Sequence, residues 1–137
     1  MSADPVVVAV FNTSPDTVDM LRIVLEHAGF AVVSAFTYDL RDGDVDVEAF
    51  CRQHKPSVIV YDIAPPYEAN WRLFLHFRTL DILRGAAFVV TTTNVKHVRE
   101  LSGPQQELLE VVGKPYDLGR IVDKVKEVAK GHSTHAG

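Results

Sequence analysis

Short apolar stretches alternate along the chain with stretches in which apolar residues recur every three or four positions. Residues 6–11 form the first apolar stretch, and its unbroken hydrophobic character predicts a strand that is buried on both faces. Four further strands are predicted at residues 30–36, 57–63, 87–92 and 108–112. The stretches between and after the strands have helical periodicity and predict five helices.

Residue types at the ends of the helical stretches predict where helices begin and end. Ser14 has the position of an N-cap, Pro15 that of the first helical residue, and Gly29 that of a C-terminal cap. The other helices are predicted at residues 47–54, 71–81, 95–101 and 118–128. Cys51 lies on the apolar face of the second helix, which predicts a buried core thiol and not a nucleophile.

Two stretches have alternative interpretations. Residues 37–46 carry four aspartates around Gly43, but they lack the ligand order of a calcium-binding loop, so a solvated loop is predicted. In the third helix, Trp71 and Leu75 lie one turn apart beside a face that is already apolar. These two side chains either widen the core or form an exposed patch for docking a partner.

Regular alternation of strands and helices predicts a parallel sheet, because each crossover between parallel strands has to pass over one face of the sheet. We predict a five-stranded, doubly wound α/β domain over residues 1–130 and a disordered C-terminal tail over residues 131–137. In sheets of this kind the functional site lies at the carboxyl ends of the strands, near the point where the strand order reverses.

Composition narrows the possible partners. The apolar stretches are too short to span a bilayer, and the first residues do not have the pattern of a signal peptide. A net charge of −4 without a basic cluster predicts no nucleic-acid partner. The six histidines lack the spacing of metal ligands, so no structural metal site is predicted. A single cysteine predicts a reducing, cytoplasmic setting.

Polar residues follow four of the predicted strands. Asn12 and Thr13 follow the first strand, Asp62 the third, Thr91 the fourth and Lys114 the fifth. Parallel strands end at the same edge of a sheet, so these side chains are expected to form one pocket. A carboxylate, a hydroxyl and an ammonium group suit phosphoryl transfer to the carboxylate. The carboxylate attacks phosphorus, the hydroxyl binds a phosphoryl oxygen, and the ammonium group offsets the charge of the product.

Nearly the whole chain resembles the receiver domain of two-component response regulators. Val58–Asp62 matches the third strand of that family, with the phosphoacceptor aspartate at its end, and Pro66 matches a proline of the following loop. Residues 88–91 match the fourth strand and its switch hydroxyl, Thr91. Lys114 and Pro115 match a pair whose peptide bond is typically cis in the family. The resemblance implies a flavodoxin-like fold.

The chain departs from the receiver pattern at several positions. Asn12 and Thr13 stand where receivers have two adjacent acidic residues, so the resemblance implies only a weak Mg²⁺ site at Asp62. Val111 stands where many receivers have an aromatic residue that rotates on phosphorylation. Asn70 replaces a usual glycine, and we expect it to tolerate the left-handed backbone conformation.

The resemblance implies a single-domain, atypical receiver that is not an enzyme. It would take phosphate at Asp62 from a histidine kinase or phosphotransfer protein and act by contact with another signalling protein. The family also implies a homodimer through the fourth helix, fifth strand and fifth helix. The alternative is a pseudo-receiver that binds its partner without phosphorylation. A nucleotide- or flavin-binding enzyme ranks last, because residues 12–16 contain no glycine to cradle a phosphate.

Overall fold

Five parallel strands form one sheet in the order β2-β1-β3-β4-β5 in the computed structural model, which describes residues 5–111 and 115–136. The strands are β1 Val7–Asn12, β2 Ala31–Phe36, β3 Val58–Asp62, β4 Ala87–Thr92 and β5 Leu109–Glu110. Because β2 and β3 lie on opposite sides of β1, the strand order reverses next to β1. The predicted five-stranded, doubly wound parallel sheet is confirmed.

Helices cover both faces of the sheet. They are α1 Pro15–His27, α2 Thr37–Asp42, α3 Val47–His54, α4 Tyr67–Arg78, α5 Val95–Ser102 and α6 Pro115–Ala136, with a short 3-10 helix at Asp81–Leu83. Helices α1 and α6 pack on one face, and α2 to α5 pack on the other. Within the described ranges, no helix is both long enough and apolar enough to cross a membrane.

The inner strands are buried on both faces, as their continuous apolar sequence predicts. In β1, Val8 and Val10 face the α1 and α6 side, whereas Ala9 and Phe11 face the other helices, and all four are fully buried. Successive side chains of a strand point to opposite faces of the sheet, so a strand covered on both faces needs apolar residues at every position.

The capping residues of α1 and the burial of Cys51 in α3 agree with the predictions from the sequence. The Ser14 hydroxyl accepts a hydrogen bond from the Thr17 N–H at 3.3 Å, and Pro15 is the first residue of α1. Gly29 follows that helix with φ +101°, which residues with a Cβ rarely adopt. Cys51 lies inside the core, and burial raises the pKa of its thiol to about 11. Cys51 is therefore a packing residue and not a reactive thiolate.

Several boundaries differ from the prediction. Thr37–Asp42 forms α2, where a solvated loop was expected, because Thr37 and Leu40, one turn apart, are buried against the core. Two buried positions are too few to produce a visible period in the sequence. Helix α4 begins at Tyr67, before Trp71. Strand β5 comprises Leu109–Glu110 within the predicted residues 108–112, of which residue 112 lies outside the described ranges.

The alternatives for the third predicted helix are also resolved. Trp71 is buried in the core, whereas Leu75 is exposed, so the two residues do not form a common docking patch. At the end of the chain, the backbone of residues 131–136 continues α6. A helix that has already formed can extend at little cost per residue. The tail over residues 131–137 and its boundary with the domain stay predictions.

Tyr61 offers a test of how the core is packed. Its ring is fully buried among Phe11, Phe74 and Phe77, and its hydroxyl has no hydrogen-bond partner in the part of the chain that the structure describes. Burial, together with the neighbouring Asp62, raises the pKa of Tyr61, so the hydroxyl stays neutral.

We therefore expect Tyr61→Phe to leave the free energy of unfolding unchanged or to raise it by about 1 kcal/mol, since an unpaired buried hydroxyl is removed. Urea unfolding measures the change, and Tyr38→Phe at an exposed ring is the control. A loss of more than about 1 kcal/mol would show that the Tyr61 hydroxyl is hydrogen-bonded in solution.

Candidate functional site

A pocket of about 250 Å³ opens at the carboxyl edge of the sheet, where the strand order reverses. Its polar rim comes from the ends of β1, β3 and β4 and includes Asn12, Thr13, Asp62 and Thr91. Its apolar wall comes from Leu21, Val111 and Ile121. The structure thus brings four of the predicted site residues together in one pocket.

Asp62 and Thr91 form the centre of the site. The two residues are direct partners in the register of β3 and β4, and the Thr91 hydroxyl donates a hydrogen bond of 2.7 Å to Asp62 Oδ1. Burial raises the pKa of the Asp62 carboxyl, and the hydrogen bond from Thr91 acts in the opposite direction. Asp62 is only partly buried, so one side of the carboxylate remains open to the pocket.

Asn12 occupies the place of a family carboxylate but has a local structural role. Its Oδ1 accepts a hydrogen bond of 3.0 Å from the Ser14 N–H, and the side chain is buried. This bond shapes the turn that leads into α1. Asp62 is the only carboxylate that lines the pocket among the described residues, and those residues contain no cluster of three or more metal-ligating side chains. Within the described part of the chain, the pocket therefore offers Mg²⁺ one carboxylate, which is the lower limit of the one or two through which that ion is usually bound.

Two residues next to the site have roles that the sequence did not predict. The Thr92 hydroxyl donates to the Ile63 carbonyl at 2.8 Å, so it ties the end of β4 to the segment after β3. Asn70, expected only to tolerate a left-handed backbone, lies inside α4, and its Nδ2 donates to the Ala64 carbonyl at 2.6 Å. Both bonds hold the loop after Asp62, and the bond from Thr92 joins residues that only the fold brings together.

The fifth strand contributes less to the described site than β1, β3 and β4. Val111 is partly buried and lines the pocket, with no ring that could rotate. Lys114 lies outside the described residues, so its place beside Asp62 and the cis bond to Pro115 stay predictions. Pro115 is the first residue of α6. Within the described residues, a cis peptide bond joins Pro65 to Pro66 in the loop after Asp62.

Solved structures of response regulators share this fold. The chain is similar to the chemotaxis response regulator CheY4 of Vibrio cholerae, with a TM-score of 0.64 and 18% identity over 89% of this chain and 99% of that chain. A response regulator from Thermotoga maritima gives a TM-score of 0.65 and 20% identity over 91% and 98% of the two chains. A response regulator receiver modulated diguanylate cyclase from Pelobacter carbinolicus gives 0.64 and 10% identity over 96% and 97%.

These similarities define the class of structure. The chain has the CheY-like, flavodoxin-like fold of response-regulator receiver domains. No protein-family model matches the sequence, and no curated protein matches it. At 10–20% identity the similarity establishes the fold, and the function has to be argued from the site.

The raised pKa of Asp62 has a consequence for stability. At a pH below the ordinary pKa of aspartate, the carboxyl is protonated in both the folded and the unfolded chain. As the pH rises, the unfolded chain loses the proton first, so the folded state loses stability until the pH has passed the raised pKa. We expect Asp62→Asn to be more stable than the wild type at neutral pH and to lose this advantage in acid.

Urea unfolding across a pH series measures this difference, and Asp44→Asn at an exposed loop position is the control. The asparagine retains an oxygen that can accept the hydrogen bond from Thr91, so the variant isolates the charge. A stability difference that does not change with pH would contradict the raised pKa of Asp62.

Proposed function

We infer that this chain is a receiver-type signalling module, not an enzyme, in which Asp62 is the phosphoacceptor and the output is contact with another protein. The observation that carries this proposal is the Asp62 carboxylate at the carboxyl end of a central strand, in an open pocket, with the Thr91 hydroxyl at 2.7 Å. The receiver fold supports it, because the solved proteins of this fold are described as response regulators. The single buried thiol, Cys51, fits the proposed cytoplasmic setting.

The proposed reaction transfers a phosphoryl group from a histidine of a kinase or phosphotransfer protein. An oxygen of Asp62 attacks phosphorus, the bond between phosphorus and the imidazole nitrogen breaks, and the electron pair stays on the imidazole. The product is an acyl phosphate on Asp62. The Thr91 hydroxyl can then donate to a phosphoryl oxygen, and Lys114, if it takes the family position, offsets the added charge.

The surface beside the pocket suits a docking phosphodonor. Helix α1 lines the pocket through Thr17 and Leu21, and its outer face exposes Met20 by 46% and Ile23 by 67%. These two apolar side chains lie three positions apart and so share one face of the helix. A donor that packs against this face would bring its phosphohistidine close to Asp62.

Phosphorylation with a small phosphodonor in the presence of Mg²⁺, followed by intact-mass measurement, tests the role of Asp62. We expect the wild type to gain the mass of one phosphoryl group and Asp62→Asn to gain none. Asp16→Asn, at the exposed start of α1, is the matched control and should react like the wild type. An unmodified wild type, or equal modification of Asp62→Asn, would contradict the phosphoacceptor role.

A second candidate function is a pseudo-receiver that binds its partner without phosphorylation. Asn12 directs its amide oxygen to the Ser14 N–H, Val111 has no ring to move, and Thr91 is already bonded to Asp62. A modification shifts a conformational equilibrium only by its different interaction with the two states, and these features reduce that difference. This candidate predicts no phosphoryl group on the wild type in the experiment above.

In either case we place the output surface, and a homodimer contact, on α5, β5 and α6. Two contacts hold α6 against the segment around β5. Lys124 forms an ion pair with Glu107 at 2.6 Å, and the Arg120 guanidinium donates to the Glu110 carbonyl at 3.2 Å. A surface that is already fixed in this way can bind a partner with little loss of conformational freedom.

The magnesium site is proposed to be weak in the wild type. Changing Asn12 and Thr13 together to aspartate adds two carboxylates beside Asp62, so we expect Mg²⁺ affinity to rise by at least about tenfold. Titration calorimetry measures the affinity, and the same double variant carrying Asp62→Asn is the control. Tight Mg²⁺ binding by the wild type would contradict the proposal.

A further inference from the structure

The loop after Asp62, residues 63–66, forms one wall of the candidate pocket. Ala64 and Pro65 line the pocket beside Asp62, and Ile63 between them is fully buried in the core. In the proposed reaction the phosphoryl group enters the pocket against this wall. The position of the loop therefore decides how closely, and from which direction, phosphorus can approach the carboxylate.

Two side chains from different elements hold consecutive carbonyls of this loop. The Thr92 hydroxyl donates to the Ile63 carbonyl at 2.8 Å, and Asn70 Nδ2 donates to the Ala64 carbonyl at 2.6 Å. Thr92 is 0% exposed and Asn70 is 4% exposed. A buried polar group that loses its partner keeps the full cost of its desolvation, so both bonds are expensive to break. The loop is thus fixed at two adjacent points.

The Thr92 hydroxyl continues the contact between β3 and β4 beyond the last residue of β3. Asp62 and Thr91 are register partners, and the Ile63 N–H donates to the Thr91 carbonyl at 2.8 Å. The Thr92 hydroxyl then bonds the Ile63 carbonyl and also accepts from the Asn94 N–H at 3.2 Å. One buried hydroxyl therefore joins the loop after Asp62 to the turn that leads into α5.

Thr92 and Asn70 lie behind the wall. Neither is among the described residues that line the pocket, so neither touches a group bound there. Any influence on the reaction has to pass through the loop that the two side chains hold. Reacting groups have to be held within about 0.5 Å of the productive geometry. A misplacement of about 1 Å can lower a rate by a factor on the order of 100.

We propose that Thr92 and Asn70 are positioning residues, which fix the loop after Asp62 as a wall of the pocket and so set the rate at which Asp62 takes up a phosphoryl group. The inference rests on the proposed function of Asp62. Both bonds are present in the unmodified protein, so the wall is in place before a phosphodonor arrives. The reaction then does not have to order the loop.

Amide hydrogen exchange of the unmodified full chain, followed by nuclear magnetic resonance, tests the hold on the loop by itself. Thr92→Val keeps the branched shape and removes the hydroxyl, so the Ile63 and Ala64 amides should exchange at least about tenfold faster. Asn70→Ala should act in the same direction. Thr92→Ser retains the hydroxyl and should exchange at close to the wild-type rate. The Val10 amide, in the middle of β1, reports global unfolding and should change less than the loop amides.

The rate of phosphoryl uptake from a small phosphodonor with Mg²⁺, followed by intact mass, tests the effect on the reaction. Thr92→Val and Asn70→Ala should each lower this rate by at least about fivefold, since each frees one carbonyl of the wall. Thr92→Ser should react at close to the wild-type rate. Thr79→Val is the matched control, because the exposed Thr79 hydroxyl also donates to a backbone carbonyl, that of His76, away from the pocket. Circular dichroism checks that every variant is folded.

The outcomes separate the hold on the loop from its effect on the reaction. Loop amides that exchange as in the wild type in both Thr92→Val and Asn70→Ala would overturn the proposal. Faster exchange with an unchanged rate of uptake would overturn it as well, as would an equal loss of rate in Thr92→Ser and Thr92→Val. A wild type that gains no phosphoryl mass would overturn the phosphoacceptor role of Asp62 together with the rate effect, and this outcome is recognised without any variant.

Discussion

Parallel hydrogen bonding between β1 and β3, from the Val8–Val58 pair to the Phe11–Tyr61 pair, sets the geometry on which the site depends. Strand β2 pairs with the other side of β1, so the connections that leave β1 and β2 cover opposite faces of the sheet. The carboxyl ends of β1 and β3 are left open between them. Asp62 reaches this opening because the strand that carries it is buried from Val58 onwards and cannot slip in register without exposing apolar side chains.

Among the described residues, the site combines one carboxylate with neutral neighbours. Asp62 keeps the hydrogen bond from Thr91, but the neighbouring positions offer an amide, a hydroxyl and a valine. Burial raises the pKa of the Asp62 carboxyl. We propose that the neutral neighbours also weaken a metal site and reduce the difference between modified and free states. The two candidate functions therefore differ in one physical quantity, which is how strongly the pocket stabilises added negative charge.

Different groups cover the two outer regions of the sheet. At β2, the Arg22 guanidinium of α1 donates to the outward-facing Val32 carbonyl at 3.0 Å and to the Ser34 hydroxyl at 2.8 Å, so this edge is covered by a side chain of the same chain. On the other side of the sheet, β5 pairs with the last two residues of β4, and Val89 and Val90 ahead of them are buried. Native proteins usually protect sheet edges from pairing with other chains.

The sequence by itself determined the class of fold and most of the candidate site. Continuous apolar stretches predicted the buried strands, Ser14 and Gly29 predicted the ends of α1, and the position of Asp62 at a strand end predicted the pocket. Only the tertiary structure decided that Thr37–Asp42 is a helix, that Thr92 bonds to the Ile63 carbonyl, and that Arg78 meets Gln106. Local periodicity and capping depend on neighbours in the chain, whereas these features depend on contacts between residues far apart, such as Asp62 and Thr91, 29 positions from each other. Those contacts exist only after the sheet has formed.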